Sequence, residues 1–331
     1  MELRSGDTSG WGEIAPLPGF HPWTLTEVLK DLRQVIPALR DLVFPENKIT
    51  PIPREIIRSV SPITALGLES ALLHLQMQRM AAAWETVFCP DPANGVAVQG
   101  IVDASSEEWP TRCREWVQAG FTTIKMKVGR YDLENEIKAF QELHQQLPAE
   151  VRFRLDAQGR WDLPTARHFF NALGGAIQRV EYVEDPVASR EELADFAAQT
   201  GVKVAVDIRK PEEAKPEVLR QFGVHAAVVK PEFWGSWFRY YQMGQDLIAA
   251  GIVPVMSNSF TTEITLRWQV LVGSCWGQPV AHGLGTLRYF QQTLVKNASL
   301  KNKNFISVTE ALHSFQQQDK TQWVPVQEIP L

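Results

Sequence analysis

Cysteine is scarce: Cys89, Cys113 and Cys275 are the whole complement of a chain of 331 residues. They form no CxxC pair and no metal-ligand spacing. An odd, sparse set of this kind reads as reduced, buried thiols in a cytoplasmic protein. Long apolar runs are also lacking. The longest, Leu247 to Met256, is too short to span a bilayer, so no membrane partner is expected. MELRSGDTSG at the N-terminus has no apolar core of a secretory signal, which leaves the Asn297-Ala298-Ser299 sequon idle. Basic residues show no excess, with 33 Lys and Arg against 38 Asp and Glu and a net charge of −5. That excludes nucleic acid as an expected partner but leaves an anionic substrate open, because local charge decides substrate binding. GxSxG, HExxH, Walker and GxGxxG motifs are all missing, and Gly283-Leu284-Gly285 is only a fragment of the last.

What is present is an ordinary globular composition, 44% apolar and 21% charged. Residues 1–90 read as an α+β capping domain. SGWGEIAPL is a strand candidate, Thr24 and Glu27 form a capping box that opens a helix through about Leu39, and residues 62–83 read as a long buried helix. CPDPANG, residues 89–95, reads as the linker. From Val96 onward short β-rich runs alternate with helical stretches: VAVQGIV, TTIKMKV, VRFRLDA, RVEYVED, KVAVDI, HAAVVK, IVPVMS and QPVAHG. Eight such units in 91–299 predict a (β/α)8-type barrel, with a doubly wound open sheet as the alternative. The segment from about 300 to 331 has no place in the barrel and is expected to return to the capping domain.

Charged residues stand at the C-terminal ends of successive runs: Lys127, Asp156, Glu184, Asp207 and Lys230, separated by 29, 28, 23 and 23 residues. In a barrel these ends form one ring at one mouth. Lys125 shares a strand face with Lys127, because strand side chains alternate. Three converging carboxylates need a compensating cation, and hard oxygen donors point to Mg²⁺, with Mn²⁺ as a second choice. The alternatives are three solvated loop charges and, for the lysines, a decorated edge strand. Asp185 is expected to face away from Glu184. Arg152 and Arg154 share the face of Asp156 and could pair with acids inside the barrel. His282, at the last strand end, reads as a satisfied structural group or a substrate contact, and His225 sits at the wrong mouth.

These residues, in this order, resemble the enolase superfamily, in its muconate-lactonizing-enzyme-like branch with lysines on the second and sixth barrel strands. GWGEIAPLPGF, residues 10–20, is similar to the o-succinylbenzoate synthase family within it. The pattern departs at Gln158, Ile208, SNSFTT (257–262) and Gly285, and no acid pair lies between His282 and Thr286 as dipeptide epimerases require. Members of the family carry a strand and a mobile lid loop ahead of GWGE, and this chain is expected to start after both.

The resemblance implies dehydration of a cyclohexadiene carboxylate to o-succinylbenzoate in menaquinone or phylloquinone biosynthesis, with a small-molecule carboxylate as the partner. Asp156, Glu184 and Asp207 are then the metal ligands. Lys127 is the base, its pKa lowered by Lys125 and the cation. Lys125 and Lys230 supply fixed positive charge. Trp11, Pro16, Leu17, Pro18, Gly19 and Phe20 cap the mouth, and Ser257 and Ser259 bind the distal carboxylate, unless these residues only pack the domains together. Rival readings are a muconate cycloisomerase or N-acylamino acid racemase on the same fold, a Schiff-base aldolase using Lys230 or Lys127, and a non-catalytic scaffold.

Overall fold

A computed structural model describes the chain apart from residues 41, 46–47, 81–86, 104–107, 292–293, 295–299, 301 and 317–331. The sequon and the last turn expected of the 62–83 helix lie outside the described residues.

The chain opens with an antiparallel hairpin, β1 (Glu2–Ser5) and β2 (Thr8–Trp11), in which Ser5 pairs with Thr8. The connecting turn is only Gly6-Asp7, and Gly6 takes the left-handed φ of 58° that such a tight turn demands. A strand therefore does precede GWGE, against the expectation, and the link between them is a two-residue turn. Helix α1 (Leu25–Arg40) starts at the capping box: Thr24 N–H donates to Glu27 Oε2 at 2.7 Å, and Glu27 N–H donates to Thr24 Oγ1 at 3.3 Å. A short α2 (Arg54–Ser59) leads to α3 (Pro62–Met80), which is buried from Ile63 through Met77. Strand β2 lies directly on α3. A Cβ on Gly10 would sit 2.0 Å from Ala71 O, and one on Gly12 would sit 1.9 Å from Gly67 O. Only glycine permits that backbone approach.

The barrel follows. Strands β3 (Gly95–Val98) and β4 (Gly100–Asp103) are one run interrupted at Gln99. Then come α4 (Trp109–Gln118), β5 (Thr123–Lys127), α5 (Leu133–Gln146), β6 (Arg152–Asp156), α6 (Leu163–Ala172), β7 (Val180–Glu184) and α7 (Leu193–Thr200). The second half is β8 (Val204–Ile208), α8 (Pro216–Gln221), β9 (Val224–Val229), α9 (Trp237–Ala249), β10 (Val253–Met256), α10 (Glu263–Trp276) and β11 (Ala281–His282). Strands β4 to β10 form one parallel sheet in chain order. β11 closes it: the strand pairs with β3, and the residues after it bridge to the end of β10 through Ser257 and Gly283. All eight runs of the sequence lie on this closed ring. No helix among the described residues is long and apolar enough to cross a membrane.

Between strands and helices lies one large apolar core. The barrel interior is narrower, filled by Tyr182, Ala205, Ala226, Val228 and Val255. Beside them Arg154 is buried, held by Glu181 through two 2.9 Å contacts and by Gln99 at 2.7 Å. Arg152 instead points to the backbone of Ala149.

Two expectations are corrected. The C-terminal segment does not return to the capping layer over its described length. β12 (Phe305–Ser307) pairs antiparallel with β3, and α11 (Val308–Gln316) packs on α10. The break at Gln99 leaves β3 with an open edge whose backbone groups need partners, and β12 supplies them. The cysteines also differ: Cys89 and Cys275 are joined as a disulfide with Cα atoms 5.7 Å apart, and Cys113 alone is free and buried. The pair is 186 residues apart in sequence. It forms because the linker lies along the end of α10, where Ala93 N–H donates to Ser274 O at 3.0 Å.

The capping layer is keyed to the barrel through α3. Glu69 accepts from Ser236 Oγ at 3.0 Å and from Trp237 N–H at 2.5 Å, at the N-terminus of α9. Trp237 Nε1–H donates to Ser70 Oγ at 2.8 Å. Burial pushes the Glu69 carboxyl up to about 7. The folded chain then holds that proton more tightly than the unfolded chain. Its contribution to stability is largest below the ordinary glutamate range and falls as pH rises towards 7.

Two outcomes are expected. Glu69→Ala lowers the free energy of urea unfolding by about 2–3 kcal/mol through the stranded donors, and Glu69→Gln flattens the fall in stability between about pH 5 and 7. Thiol titration of the denatured, unreduced chain returns one reactive cysteine; three would refute the Cys89–Cys275 bond.

Candidate active site

On β5 the side chains alternate as read: Ile124 and Met126 are fully buried against the helices, and Lys125 and Lys127 take the other face, towards the barrel axis. Register sets the heights of the mouth residues. Lys127 pairs with Asp156, and Asp156 with Glu184, so these three are level on adjacent strands. Glu184 pairs with Ala205, which places Asp207 one side-chain repeat higher. Asp207 pairs with Val228, so Lys230 is higher again. The staircase is the stagger that closing a barrel imposes.

Burial makes this ring electrostatically demanding. Asp156 and Glu184 are 5% and 3% exposed, too little for water to screen their charges. Lys125 stands between them, its Nζ 2.9 Å from Asp156 Oδ2 and 2.6 Å from Glu184 Oε2. Burial alone would lower the Lys125 pKa, but the two carboxylates outweigh it and raise it well above the usual lysine range. Asp207 is gripped on both oxygens, by Lys230 Nζ at 2.5 Å and Arg209 Nε at 3.0 Å. Burial opposes ionisation of Asp207, yet Lys230 holds its pKa below the ordinary aspartate value. Glu184 is pushed up by burial and by the neighbouring Asp156.

Asp185 belongs to this group, contrary to the expectation that it faces away. Its backbone turns into the left-handed region, φ 43°, and its carboxylate accepts from Asp207 N–H at 3.3 Å. Burial and Asp207 push it up to about 6. Strand alternation fails at this point because the strand has ended.

Lys127 differs from Lys125. Burial lowers its pKa, and Arg130 adds to the effect ahead of Lys125, which contributes least. The sequence reading attributed the shift to Lys125 and the cation and missed Arg130. That residue is held over the mouth by Asp103 at 2.8 Å and by Gln158, so Gln158 finds a partner in Arg130. Arg209 and Arg130 were missed because both lie just beyond strand ends, where no periodicity applies.

A cavity of about 360 Å³ is lined by Asp156, Glu184, Asp185, Asp207, Gln158 and Arg209, among others. Among the described residues no three His, Cys, Asp or Glu side chains already converge at metal-ligating distance. Ammonium and guanidinium groups interleave them instead. The donor set itself fits a hard divalent cation: three carboxylates from adjacent strands with no sulfur or imidazole among them, and Glu184 pushed up by burial and by Asp156 beside it.

From the capping layer, Phe20 reaches the mouth. Its ring centroid lies 5.5 Å from Lys230 Nζ and 4.8 Å from Arg209 Cζ. Gly19, exposed with φ 77°, makes the turn that presents Phe20. Leu17 shapes the same turn, its N–H donating to His21 Nδ1 at 2.8 Å. Trp11 is not at the mouth: it is buried on α3, its N–H on His74 Nδ1 at 3.1 Å. Ser257 continues β10 into the mouth and is half-buried, and Ser259 is 5% exposed with a hydroxyl that has no protein partner. His282 is a structural group, fully buried with Nδ1 accepting from Met256 N–H at 3.1 Å.

Known proteins match this arrangement. Residues 108–262 carry the signature of the enolase C-terminal domain-like family. The o-succinylbenzoate synthase of Yersinia pestis (strain Pestoides F) is 31% identical over 301 residues, 89% of this chain and 84% of that one. A dipeptide epimerase from Enterococcus faecalis, solved with Mg and the dipeptide L-Leu-L-Tyr, superimposes with a TM-score of 0.79 at 20% identity, over 93% of this chain and 88% of that one. The muconate lactonizing enzyme of Pseudomonas putida gives 0.76 at 16% identity, over 92% and 88%. The two structures speak to the fold, and the sequence relative speaks to the family. This chain is an enzyme, a carbon–oxygen lyase, and it belongs to the o-succinylbenzoate synthase family of the enolase superfamily.

Proposed function

We propose that the enzyme removes water from 2-succinyl-6-hydroxy-2,4-cyclohexadiene-1-carboxylate to give o-succinylbenzoate, a step of menaquinone or phylloquinone biosynthesis. The observation that carries this reading is the contrast between Lys127, whose pKa is lowered, and the other two lysines of the ring, Lys125 and Lys230, which are locked to carboxylates. One lysine is free to be neutral, and two are held in ion pairs.

Asp156, Glu184 and Asp207 would hold a divalent cation, Mg²⁺ or Mn²⁺. When bound, the cation supplies positive charge to the substrate carboxylate as that group takes up electron density. The chain's own residues do the rest. Neutral Lys127 accepts the proton from the carbon beside the carboxylate, and the electron pair of the broken C–H bond spreads into an enediolate. Lys230, at the far end of the acid row, stabilises that charge, and Lys125 stays protonated near the same oxygens. The C–O bond to the ring hydroxyl then breaks. Lys127, now an ammonium on the same face, returns its proton to the departing oxygen as water leaves. One C–H and one C–O bond are lost, one water is released, the ring becomes aromatic, and no oxidant is consumed.

Phe20 supplies an apolar ceiling beside Lys230, and Gly19 supplies the turn that sets it. Ser257 and Ser259, which follow the neighbouring strand β10, donate to the distal succinyl carboxylate.

The test is direct assay of the dehydration with Mg²⁺ present. Lys127→Ala is expected to lower kcat by about 10²–10⁴-fold with Mg²⁺ affinity unchanged by calorimetry. Near-normal turnover would refute the base assignment. The rising limb of kcat/KM against pH should have its midpoint below the ordinary lysine value of about 10.4. Because Arg130 depresses the pKa of Lys127, Arg130→Ala should move that midpoint upward.

A further inference from the structure

Glu13 is the last residue of GWGE, and it belongs to the capping layer. Its carboxylate nevertheless reaches the barrel at the start of α10. Thr262 N–H donates to it at 2.8 Å and Thr262 Oγ1–H at 2.9 Å. Thr265 Oγ1–H donates at 2.7 Å and Thr265 N–H at 3.3 Å. Thr262 is the N-cap of α10, so an acceptor from another domain satisfies the first orphan donors of that helix. The placement of Glu13 is rigid. Gly10 and Gly12, just before it, are pressed onto α3, and Glu13 O and the Ile14 side chain fill the space over Gly67.

The segment that this grip ends is the mouth loop 257–262. It contains Phe260, a bulky residue held at φ 57° and 48% exposed, which costs backbone strain. Ser259 and Thr261, on either side of it, are 5% and 3% exposed, and their hydroxyls have no protein partner. A strained loop with buried, uncommitted hydroxyls keeps its shape only if both ends are fixed. The strands on either side of β10 fix one end, through Ser257 N–H on Val229 O of β9 at 2.9 Å and Asn258 N–H on Gly283 O, just after β11, at 3.1 Å. Glu13 fixes the other.

We infer that Glu13 is a positioning residue for substrate binding: across the domain boundary, it holds the 257–262 loop in the shape that presents the Ser259 hydroxyl to an anionic substrate group. The capping layer thereby acts on the substrate twice, by contact through Phe20 and at a distance through Glu13. The substrate half of this inference rests on the proposed role of Ser259; the loop-holding half stands independently.

The test joins hydrogen exchange with kinetics on the full chain. In Glu13→Ala, amides of 257–265 should exchange at least tenfold faster while those of β9 are unchanged, and KM for the cyclohexadiene dicarboxylate should rise about tenfold with kcat changed by less than threefold. Thr265→Val, which removes one donor to Glu13, should move both readouts the same way by a smaller factor, and it serves if Glu13→Ala does not fold. Ser259→Ala should also raise KM, and its combination with Glu13→Ala should be no worse than the more severe single change. Unchanged exchange at 257–265 would overturn the inference, as would equal losses of kcat and 1/KM accompanied by a lower Tm. Faster exchange with no KM effect in Ser259→Ala would refute the role of Ser259 and leave the grip of Glu13 standing. A KM effect in Ser259→Ala with neither exchange nor KM altered in Glu13→Ala would do the reverse.

Discussion

Carboxylates buried side by side at the end of a barrel cannot all stay ionised unless positive charge lies among them. That constraint organises the mouth of this enzyme. Asp156, Glu184, Asp185 and Asp207 occupy three adjacent strand ends, and each lies close to the next because parallel strands run less than 5 Å apart. Lys125 is placed between two of them, and Lys230 and Arg209 close on a third. The charges locked into these pairs leave Lys127 as the group whose surroundings favour neutrality. A pair of lysines on one strand face, costly in isolation, thus becomes a division of labour: one compensates the acids and the other can take a proton.

Among the described residues, side chains of the capping layer and the linker are tied to the barrel at ends of barrel helices. Glu69 meets the start of α9, Glu13 meets the start of α10, and the Cys89–Cys275 bond ties the linker to the end of α10. Helix α10 is therefore held at both ends by residues outside the barrel. Helix N-termini suit such joints, because their unpaired N–H groups welcome a carboxylate that would be costly to bury elsewhere. The mouth loop before α10 inherits its shape from this arrangement, and Phe20 covers the lysine side of the same opening.

Much of the fold was legible because it follows from periodicity. All eight strand runs, the capping box at Thr24 and Glu27, and the long buried helix that starts at residue 62 are local patterns that chain geometry obliges. The order of Lys127, Asp156, Glu184, Asp207 and Lys230 could be read for the same reason, since strand alternation tells which residue faces the axis. What escaped lies where alternation stops. Asp185 swings back into the site on a left-handed backbone, and Arg130 and Arg209 enter from loops. The C-terminal strand chose the barrel over the capping layer because of an open β3 edge at Gln99, which no pattern in the last thirty residues announces.

By itself, then, the amino-acid order determined the eight barrel strand runs and the ring of charged strand ends, because these depend on spacings of two and of 3.6 residues along one chain, and its motifs carried the resemblance to the family. Tertiary structure decided which lysine is locked and which is free, which cysteines meet, and which domain Glu13 serves. Those outcomes depend on distances between residues tens to hundreds of positions apart, and on how deeply each is buried, and neither quantity is written in local sequence.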